Sequence, residues 1–477
     1  MEHLPRKTKI VCTIGPTSSS KRILKKLMCS GMDVVRLNCS HGNHEDFKKL
    51  IKKIRTLAKE LDKPISIMLD LRGPKLRVGN FKDGAIELKK GETVIVTVRD
   101  VIGKKGLIPV NYPRLAEDLK IGEELLFNDG LLKVIVKEIT DVDITCEILV
   151  GGTLEDKKGL NVPGTIIFLP SLTEKDHNDL KFGIKEKVDF VALSFVQKPV
   201  DIVELREILN VNESNAQIVS KIEKPEALKH IDEIIDLSDA IMVARGDLGV
   251  EMQPCRVPGI QKTLIKKCTE NNVPVITATQ MLESMVNNPS PTRAEASDVA
   301  NAIYDGTDAV MLSAETASGK FPVKTVEVMA QIALETEKTI QLGECQIRKK
   351  ERNDGTIRDA IARGASKMAQ SLNCSAIVVY NLSGKTSCMI SKYKNNIPIL
   401  ALTPFPQTLR KLNLYWGVLP ILIETPDNTE EVVSIAERAC KNFEFIQPED
   451  LILITTGISG STNAIKIHAL PENFRKT

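Results

Sequence analysis

A regular alternation of apolar runs with amphipathic segments is the feature that most constrains the fold of this 477-residue chain. Eight apolar runs predict strands at Ile10–Ile14, Asp33–Leu37, Ile65–Leu69, Phe190–Phe195, Gln217–Ile222, Ala240–Ala244, Pro274–Ala278 and Ala309–Leu312. The segments between them predict helices at Ser20–Ser30, Glu45–Leu61, Glu174–Ile184, Pro199–Leu209, Pro225–Leu237, Val257–Asn271, Thr292–Tyr304 and Val323–Thr339. Eight strands alternating with eight helices are typical of a closed (β/α)8 TIM-type barrel. A doubly wound open sheet is the alternative, which the regularity disfavours.

The alternation stops once, over residues 76–164. Turn signals such as Asn128-Asp129-Gly130 separate short β-type runs there, including Glu92–Val98 and Leu131–Val136. The pattern predicts a small all-β module inserted after the third barrel strand. Insertions at that end of a barrel overhang the active site, so we expect a lid rather than a passive decoration.

A second α/β region follows a charged connector at residues 341–355. Its apolar runs predict strands at Ala376–Tyr380, Ile397–Leu402, Gly417–Ile423 and Leu451–Thr455. We therefore expect a catalytic barrel made of residues 1–75 and 165–340, a lid domain of residues 76–164 and a C-terminal α/β domain of residues 341–477.

The C-terminal region contains a turn rich in hydroxyls and glycine, formed by Ser383, Gly384, Lys385, Thr386 and Ser387. It lies between a predicted strand and a predicted helix, where backbone amides can bind a phosphate-sized anion. The spacing is not that of a Walker A loop. An ordinary helix cap would have the same residue types, so both interpretations stay open.

Composition excludes several classes of function. Lysine and arginine exceed aspartate and glutamate by only three, which does not indicate a nucleic-acid partner. No apolar run has the length of a membrane span, and residues 1–9 lack the apolar core of a signal peptide. Ten scattered cysteines without metal-binding spacing are typical of free thiols in a reducing cytoplasm, where we expect this protein.

The stretch from Gln217 to Gly249 carries charges where two predicted strands end. Side chains alternate along a strand, so Lys221 and Glu223 are expected to point the same way, as are Arg245 and Asp247. Ligands bind at the carboxyl ends of parallel strands. A lysine beside two carboxylates there predicts a hard divalent cation and an anionic substrate, whereas a surface salt-bridge cluster would place such charges in helices or loops.

Other strands end in polar residues at the same side of the barrel. They are Arg36, Asn38, Ser40 and His41 after the second strand, Asp70 after the third, Thr277 and Thr279 on the seventh, and Ser313 and Glu315 on the eighth. Any single one could be a hydrogen-bonded residue of the core. Their recurrence at one end favours a binding site.

Eight motifs give the chain a resemblance to the pyruvate kinase family from end to end. They are KIVCTIGP, VVRLNCSHG, LDLRGPKLR, KKGLNVPG, SKIEKPEAL, VARGDLG, TATQMLESM and LSAETASGKFP. The resemblance implies a barrel, a mobile lid and a C-terminal regulatory domain, usually in a homotetramer, and the turn at residues 383–387 predicts that the effector is phosphorylated. It implies transfer of the phosphoryl group of phosphoenolpyruvate to ADP. Pyruvate and ATP form through an enolate that is stabilised by Mg²⁺, with Mn²⁺ as a possible substitute, and is then protonated.

The resemblance also implies a role for each matching residue. Glu223 and Asp247 match the Mg²⁺ ligands, and Lys221 matches the lysine that neutralises the moving phosphoryl group. Arg36 matches the arginine that grips the phosphoryl group. The amides of Gly246 and Asp247 match those that hold the substrate carboxylate, and Thr279 matches the threonine beside the enolate carbon. The positions that match ADP contacts are Asn38, His41, Arg77 and Lys158.

One motif departs from the potassium-dependent pattern of the family. Asn38, Ser40 and Asp70 match the monovalent-cation ligands, but Leu71 replaces a threonine and Lys75 replaces a glutamate. A lysine near this site would supply the positive charge, so we expect that K⁺ is not required.

Two other functions share part of the pattern. A barrel lyase acting on a pyruvate enolate would also hold Mg²⁺ at strand ends, but it would not need the lid residue Lys158 or the nucleotide residue Arg77. A catalytically silent metabolite-binding homologue would not need Lys221, Glu223 and Thr279 intact.

Overall fold

The computed structural model describes residues 4–165, 170–341, 356–456 and 464–475. The expected connector lies almost wholly on residues 342–355, outside these ranges. Strands and helices are numbered below in chain order.

The predicted (β/α)8 barrel is confirmed. Eight parallel strands close into a ring in the order β1-β16-β15-β14-β13-β12-β3-β2. These strands are β1 (Lys9–Thr13), β2 (Val34–Asn38), β3 (Ser66–Asp70), β12 (Phe190–Leu193), β13 (Gln217–Ile222), β14 (Ala240–Ala244), β15 (Val275–Ala278) and β16 (Ala309–Leu312). Their residues are almost all buried, because side chains facing inward fill the barrel and those facing outward pack under the helices.

The outer layer consists of helices, some of which begin at a residue whose side chain caps the helix. They are α1 (Lys21–Ser30), α2 (His44–Glu60), α4 (Glu174–Lys185), α5 (Pro199–Val211), α6 (Pro225–Lys229), α7 (Ile231–Leu237), α8 (Arg245–Glu251), α9 (Val257–Glu270), α10 (Arg293–Asp305), α11 (Ala314–Ala317) and α12 (Pro322–Gln341). Thr173 and Thr292 each form a capping box at the start of α4 and α10. The single helix predicted at Pro225–Leu237 is wrong: α6 and α7 meet at His230, whose backbone leaves the helical region.

The chain between β3 and α4 contains a separate β structure with its own hydrophobic core, from Leu76 to Val162. Six of its strands form one sheet in the order β11-β7-β8-β9-β5-β6, and β10 pairs with β4. They are β4 (Ala85–Leu88), β5 (Thr93–Thr97), β6 (Leu107–Pro109), β7 (Glu124–Phe127), β8 (Leu132–Ile139), β9 (Asp143–Val150), β10 (Gly152–Glu155) and β11 (Leu160–Asn161), with one short helix, α3 (Leu115–Asp118).

The turn that joins β7 to β8 is the one predicted from the sequence of residues 128–130. Asn128, Asp129 and Gly130 have φ angles of 51°, 54° and 88°. Asparagine, aspartate and glycine tolerate this left-handed region better than other residues. The turn brings the Asp129 carboxylate to 3.4 Å from the ammonium of Lys75. A hairpin of the inserted module thereby reaches the carboxyl face of the barrel.

The C-terminal region is a five-stranded sheet in the order β19-β18-β17-β20-β21. Its strands are β17 (Ala376–Tyr380), β18 (Ile399–Thr403), β19 (Val418–Leu422), β20 (Leu451–Thr456) and β21 (Ala464–Ala469), and its helices are α13 (Ile357–Ser371), α14 (Lys385–Ser391), α15 (Pro406–Leu412) and α16 (Thr429–Cys440). The four predicted strands are present. The antiparallel edge strand β21, whose residues are largely exposed, was not predicted.

Buried lysines join this sheet to the amino-terminal face of the barrel, and we call this contact the joint. Lys394 forms an ion pair with Asp308, and both side chains are almost fully buried. The ammonium groups of Lys394 and Lys7 lie 5.2 Å and 5.4 Å from the centre of the Trp416 ring. Lys9 donates to the Val418 carbonyl at 2.6 Å. The barrel and the C-terminal sheet are therefore tied by charged groups that water barely reaches.

The described residues contain no helix that is both long and apolar enough to cross a membrane. The nine cysteines among them are all free.

Because a buried cation that loses its partner keeps the full cost of desolvation, Asp308→Asn should destabilise the joint by about 3–5 kcal/mol. The chain has one tryptophan, and it lies in the joint, so urea unfolding followed by Trp416 fluorescence measures this contact directly. The matched control is Glu335→Gln, which breaks the exposed pair with Lys338 and should cost less than about 1 kcal/mol. Equal midpoints for the two variants would contradict the importance of the Asp308–Lys394 pair.

Candidate active site

A carboxylate shared by two cations lies at the carboxyl ends of the barrel strands. Asp70, at the end of β3, accepts from Arg36 Nε at 2.6 Å and from Lys221 Nζ at 3.1 Å. Arg36 comes from β2, where it also donates to Thr13 Oγ1 at 2.9 Å. Ser194, just after β12, accepts from Lys221 Nζ at 2.7 Å and donates to Asp70 at 3.4 Å. Five strands of the barrel thus contribute to one buried polar cluster.

The charges in this cluster stabilise one another. Burial would raise the pKa of Asp70, but Lys221 and Arg36 hold this pKa below its usual range. Burial would lower the pKa of Lys221, but Asp70 and Glu223 hold it above its ordinary value. At neutral pH the site therefore presents two fixed cations and an ionised carboxylate.

The two expected metal ligands are Glu223, which contacts this cluster, and Asp247, which contacts Lys75. Glu223 is 2.9 Å from Lys221 Nζ, as the shared strand face predicted, and accepts from the Phe195 amide at 2.8 Å. Burial and the nearby Asp247 raise the pKa of Glu223, while Lys221 opposes that rise. Two carboxylates that repel each other in a buried site are suited to share a cation. The described residues contain no group of three or more histidine, cysteine or acidic side chains that could hold a metal.

The expected strand geometry of Arg245 and Asp247 is wrong. Strand β14 ends at Ala244, and residues 245–251 form helix α8. Asp247 consequently lies in the first turn of that helix, with Lys75 Nζ 3.2 Å from its carboxylate. The Gly246 amide, expected to hold the substrate carboxylate, donates to Thr279 Oγ1 at 2.7 Å.

Thr279 lies in a strained turn just beyond β15. Its φ is 68° and that of Gln280 is 54°, a conformation that costs a non-glycine residue on the order of 1–3 kcal/mol. β-Branched residues adopt it rarely. Such strain persists only where neighbouring contacts hold it.

Lys75 does not contact the monovalent-cation positions to which we assigned it. Its ammonium lies against Asp247 and Asp129, 3.2 Å and 3.4 Å away. Burial would lower the pKa of Lys75, but these two carboxylates hold it above the ordinary value, so the side chain stays charged.

The monovalent-cation positions themselves are only partly suited to a cation. Asn38 Oδ1 accepts from the Ser40 amide at 3.0 Å, and Asp70 already carries two cationic partners. The Leu71 side chain is buried and offers no oxygen.

The residues expected near ADP are not gathered into the cluster. Arg77 and Lys158 belong to the inserted module, where Arg77 donates to the Lys157 carbonyl at 2.9 Å and Lys158 pairs with Glu155 at 3.0 Å. His41 is exposed beyond β2. The contacts of Arg77 and Lys158 are therefore with other residues of the inserted module and not with the cluster around Asp70.

A second contact joins the inserted module to α8. Asn161, in β11, donates to Glu251 at 2.6 Å, and Lys224 donates to the same oxygen at 2.6 Å. Lys224 follows Glu223 directly, and Glu251 ends the helix that carries Asp247. The position of the inserted module is therefore linked to both expected metal ligands.

Three other polar residues at strand ends serve the structure. The Thr277 hydroxyl is hydrogen bonded to the Thr307 hydroxyl at 3.0 Å inside the core. Glu315 accepts from the amides of Ser313 and Leu282, which fixes the loop after β15. For these residues the ordinary interpretation as hydrogen-bonded core residues was the right one.

The turn predicted as an anion site is only partly open. The Ser387 hydroxyl accepts from the Asn381 amide group at 2.9 Å, and its own backbone amide donates to Asn381 at 3.2 Å. Gly384 has a φ of 84°, and Thr386 is buried. Of the five residues in the turn, Ser383 and Lys385 are exposed.

Three residues that contribute to the site were not predicted from the sequence. Ser194 lies one residue before the end of the predicted strand Phe190–Phe195, so the pattern of polar residues at strand ends could have identified it. Asp129 and Asp298 could not be identified, because they lie in a turn and on a helix, and only the folded chain brings them to Lys75 and Arg245.

The closed barrel, with cations and carboxylates at the carboxyl ends of its strands, defines an enzyme that binds an anionic substrate at this face. Comparison with known proteins agrees with this class. The family model described as "Pyruvate kinase, barrel domain" matches residues 5–326, and "Pyruvate kinase, alpha/beta domain" matches residues 359–468. The chain belongs to the pyruvate kinase family.

Similar proteins cover nearly the whole chain. A pyruvate kinase of Geobacillus stearothermophilus is 45% identical over 480 residues, 99% of this chain and 82% of that protein. One from Staphylococcus aureus is 46% identical over 98% of this chain and 81% of that protein. The crystal structure of a pyruvate kinase from Cryptosporidium parvum has a TM-score of 0.91 and 38% identity, covering 98% and 96% of the two chains.

The activity follows from this membership. The enzyme transfers the phosphoryl group of phosphoenolpyruvate to ADP, yielding pyruvate and ATP, and the family uses a divalent metal. The comparisons do not support a barrel lyase or a catalytically silent homologue.

Proposed function

We propose that the cluster around Asp70 is the centre of phosphoryl transfer. The observation that supports this most directly is that Arg36 and Lys221 share one buried carboxylate at the carboxyl face of the barrel. Arg36 would bind the phosphoryl group of phosphoenolpyruvate, and Lys221 would neutralise the negative charge of that group during its transfer. Phosphoryl transfer depends on positioning and on fixed positive charge rather than on a covalent intermediate, and the cluster supplies both.

Glu223 and Asp247 would hold the divalent metal, which we propose is Mg²⁺, with Mn²⁺ able to replace it. Magnesium commonly binds through one or two carboxylates and keeps oxygens of water and substrate as its other ligands, which suits a site with two carboxylates. When bound, the ion would add positive charge beside the phosphoryl group. Asp247 would exchange its contact with Lys75 for the metal.

The substrate carboxylate would bind at the amides of Gly246 and Asp247. Since the Gly246 amide donates to Thr279 Oγ1, the two groups lie close together, and a carboxylate held there would lie beside the Thr279 hydroxyl. We propose that this hydroxyl faces the enolate carbon, where the proton is delivered.

ADP would bind at Asn38, His41, Arg77 and Lys158, with the last two brought in by the inserted module. We propose that residues 76–164 are a lid domain which closes on the barrel made of residues 1–75 and 165–340. Closure would exclude water from the reacting groups.

Hydrogen exchange at Lys75–Leu76 and Pro163–Gly164, with and without Mg²⁺ and ADP, measures this closure. Unchanged protection at these two crossings would contradict closure.

We propose that K⁺ is not required, because the positions Asn38, Ser40, Asp70 and Leu71 are poorly suited to a cation: Asp70 already pairs with Arg36 and Lys221, and the buried Leu71 side chain offers no oxygen. Lys75 supplies a fixed positive charge at Asp247 instead of at these positions.

The C-terminal region, residues 341–477, is proposed as a regulatory domain of a cytoplasmic homotetramer. Its turn Ser383, Gly384, Lys385, Thr386 and Ser387 would bind a phosphorylated effector, with the exposed Ser383 and Lys385 making the first contacts. Light scattering coupled to gel filtration measures the oligomeric state, and a monomer would contradict that part of the proposal.

Lys221→Met should lower kcat about a thousandfold or more and leave the KM for phosphoenolpyruvate within a few-fold, because the lost charge matters mainly in the transition state. The assay is pyruvate formation that requires both phosphoenolpyruvate and ADP. The Mg²⁺ concentration for half-maximal rate should not rise.

Asp247→Asn is the matched comparison, because it should shift the Mg²⁺ dependence to higher concentration. Near-normal kcat in Lys221→Met would remove Lys221 from the reaction. An unchanged Mg²⁺ dependence in Asp247→Asn would remove Asp247 from the metal site.

Wild-type activity should be complete without K⁺, and Lys75→Glu, alone or with Leu71→Thr, should make it strongly dependent on K⁺, since the fixed charge is lost. The measurement is initial rate against KCl at constant ionic strength, with tetramethylammonium as the balancing cation. Lys120→Glu makes the same charge reversal at an exposed position of the inserted module and is the control. A rise in wild-type kcat as K⁺ replaces tetramethylammonium would refute the proposal that K⁺ is not required.

Lys385→Glu should weaken activation by a phosphorylated effector without changing the maximal rate, because it reverses the exposed charge of the turn. A screen of sugar phosphates and nucleotides by thermal shift and by kinetics finds the effector. Lys466→Glu, at an exposed position of β21 in the same C-terminal region, should respond like the wild type. If no phosphorylated metabolite shifts either property, the turn is only a helix cap.

A further inference from the structure

The guanidinium group of Arg245 directs its Nε and Nη2 donors at one turn. Its Nε donates to the Ala278 carbonyl at 3.3 Å, and its Nη2 donates to the carbonyls of Thr279 and Gln280 at 2.8 Å and 3.4 Å. The same Nη2 lies 2.7 Å from Met281 Sδ. Four consecutive residues are therefore held by one side chain.

The guanidinium group is itself anchored from two helices. Nη1 lies 2.7 Å from a carboxylate oxygen of Asp298 in α10, and it donates at 3.3 Å to Gln261 in α9. The Arg245 side chain is only 10% exposed. Because the planar guanidinium group is hydrogen bonded on both sides, it has little conformational freedom and can fix the position of the groups to which it donates.

The turn that it holds is the strained one. Thr279 and Gln280 have positive φ angles, which neither residue type favours. Their carbonyls point toward Arg245, while the Thr279 hydroxyl accepts from the Gly246 amide at 2.7 Å. Gly246 directly follows Arg245 in α8. The Arg245 side chain thus holds the backbone of Thr279, and the amide of the next residue, Gly246, contacts the Thr279 hydroxyl.

We propose that Arg245 is a positioning residue, which holds the backbone of residues 278–280 so that the Thr279 hydroxyl faces the substrate. This inference rests on the proposed role of Thr279 at the enolate carbon. Arg245 itself does not contact the substrate or the metal. Its effect reaches the reaction through the orientation of Thr279, and Asp298 contributes by fixing Arg245.

The affected step is the gain of a proton by the methylene carbon of enolpyruvate. In that step a carbon–hydrogen bond forms, the enolate oxygen becomes the carbonyl of pyruvate, and the proton comes ultimately from water. The reverse step exchanges the methyl protons of pyruvate with solvent. Exchange with D₂O, followed by proton NMR in the presence of Mg²⁺ and inorganic phosphate, therefore reports the orientation of Thr279 without net phosphoryl transfer.

The experiment is a double-mutant cycle with Arg245→Lys, Thr279→Val and the combined variant. Each single variant should lower the exchange rate about tenfold or more, with the KM for ADP within about twofold. Because Arg245 acts through Thr279, the combined variant should fall no more than about twofold below the slower single variant, instead of showing the product of both effects. A lysine cannot reach three carbonyls at once, so it should not rescue the rate.

Arg206→Lys is the matched control. Arg206 also pairs with a carboxylate, Asp239 at 2.7 Å, and donates to a backbone carbonyl, but it does so at the other end of β14. Its exchange rate should stay within about twofold of the wild type. Asp298→Asn is a milder second variant if Arg245→Lys folds poorly, and its loss of exchange should disappear in the Thr279→Val background.

The outcomes separate this inference from the proposed role of Thr279. If Thr279→Val exchanges at the wild-type rate, Thr279 has no part in protonation, and the role of Arg245 falls with it. If Thr279→Val is impaired but the Arg245 and Asp298 variants are not, or if the effects multiply, only the positioning role is overturned.

Discussion

The structure of the site depends on a carboxylate that two cations share. Arg36 and Lys221 come from different strands; without Asp70, Arg36 would lose its carboxylate partner and Lys221 would keep only Glu223. An unpaired buried charge is far more costly than a paired one. Asp70 therefore permits two positive charges in one pocket, and it fixes both side chains before any substrate arrives. Charge that is oriented in advance needs no rearrangement when the phosphoryl group moves.

The barrel makes this arrangement possible through its topology. Parallel strands end on one face, so β2, β3 and β13 bring residues that are far apart in sequence to the same opening. The short helix α8 then places Asp247 and the Gly246 amide above that opening. The inserted module contacts the same region through Asn161 and Asp129, so the core of the cluster lies on rigid strands while its outer contacts lie on loops and turns.

Much of this could be predicted from the sequence, because strand periodicity is local. Lys221 lies in β13 and Glu223 directly follows that strand, and their 2.9 Å contact is the one that the alternation of side chains predicted. Alternation failed one strand later, because the chain turns into α8 at Arg245 and no longer follows a period of two. The contacts of Arg245 with Asp298 and of Lys75 with Asp129 depend on how helices and a hairpin pack, which no local pattern encodes. The same holds for Ser387, whose hydroxyl looked available and is hydrogen bonded to Asn381.

The joint between the barrel and the C-terminal sheet couples folding to proton binding. Burial lowers the pKa of Lys7 and of Lys9 from 10.5 to about 8, with Glu337 and Asp33 respectively the strongest opposing influences. In the unfolded chain both lysines would titrate near their ordinary pKa of about 10.4. Between these values the unfolded chain binds more protons than the folded one, so the contribution of these lysines to stability rises with pH across that interval. Separation of the two parts of the molecule would consequently take up protons from mildly alkaline solution.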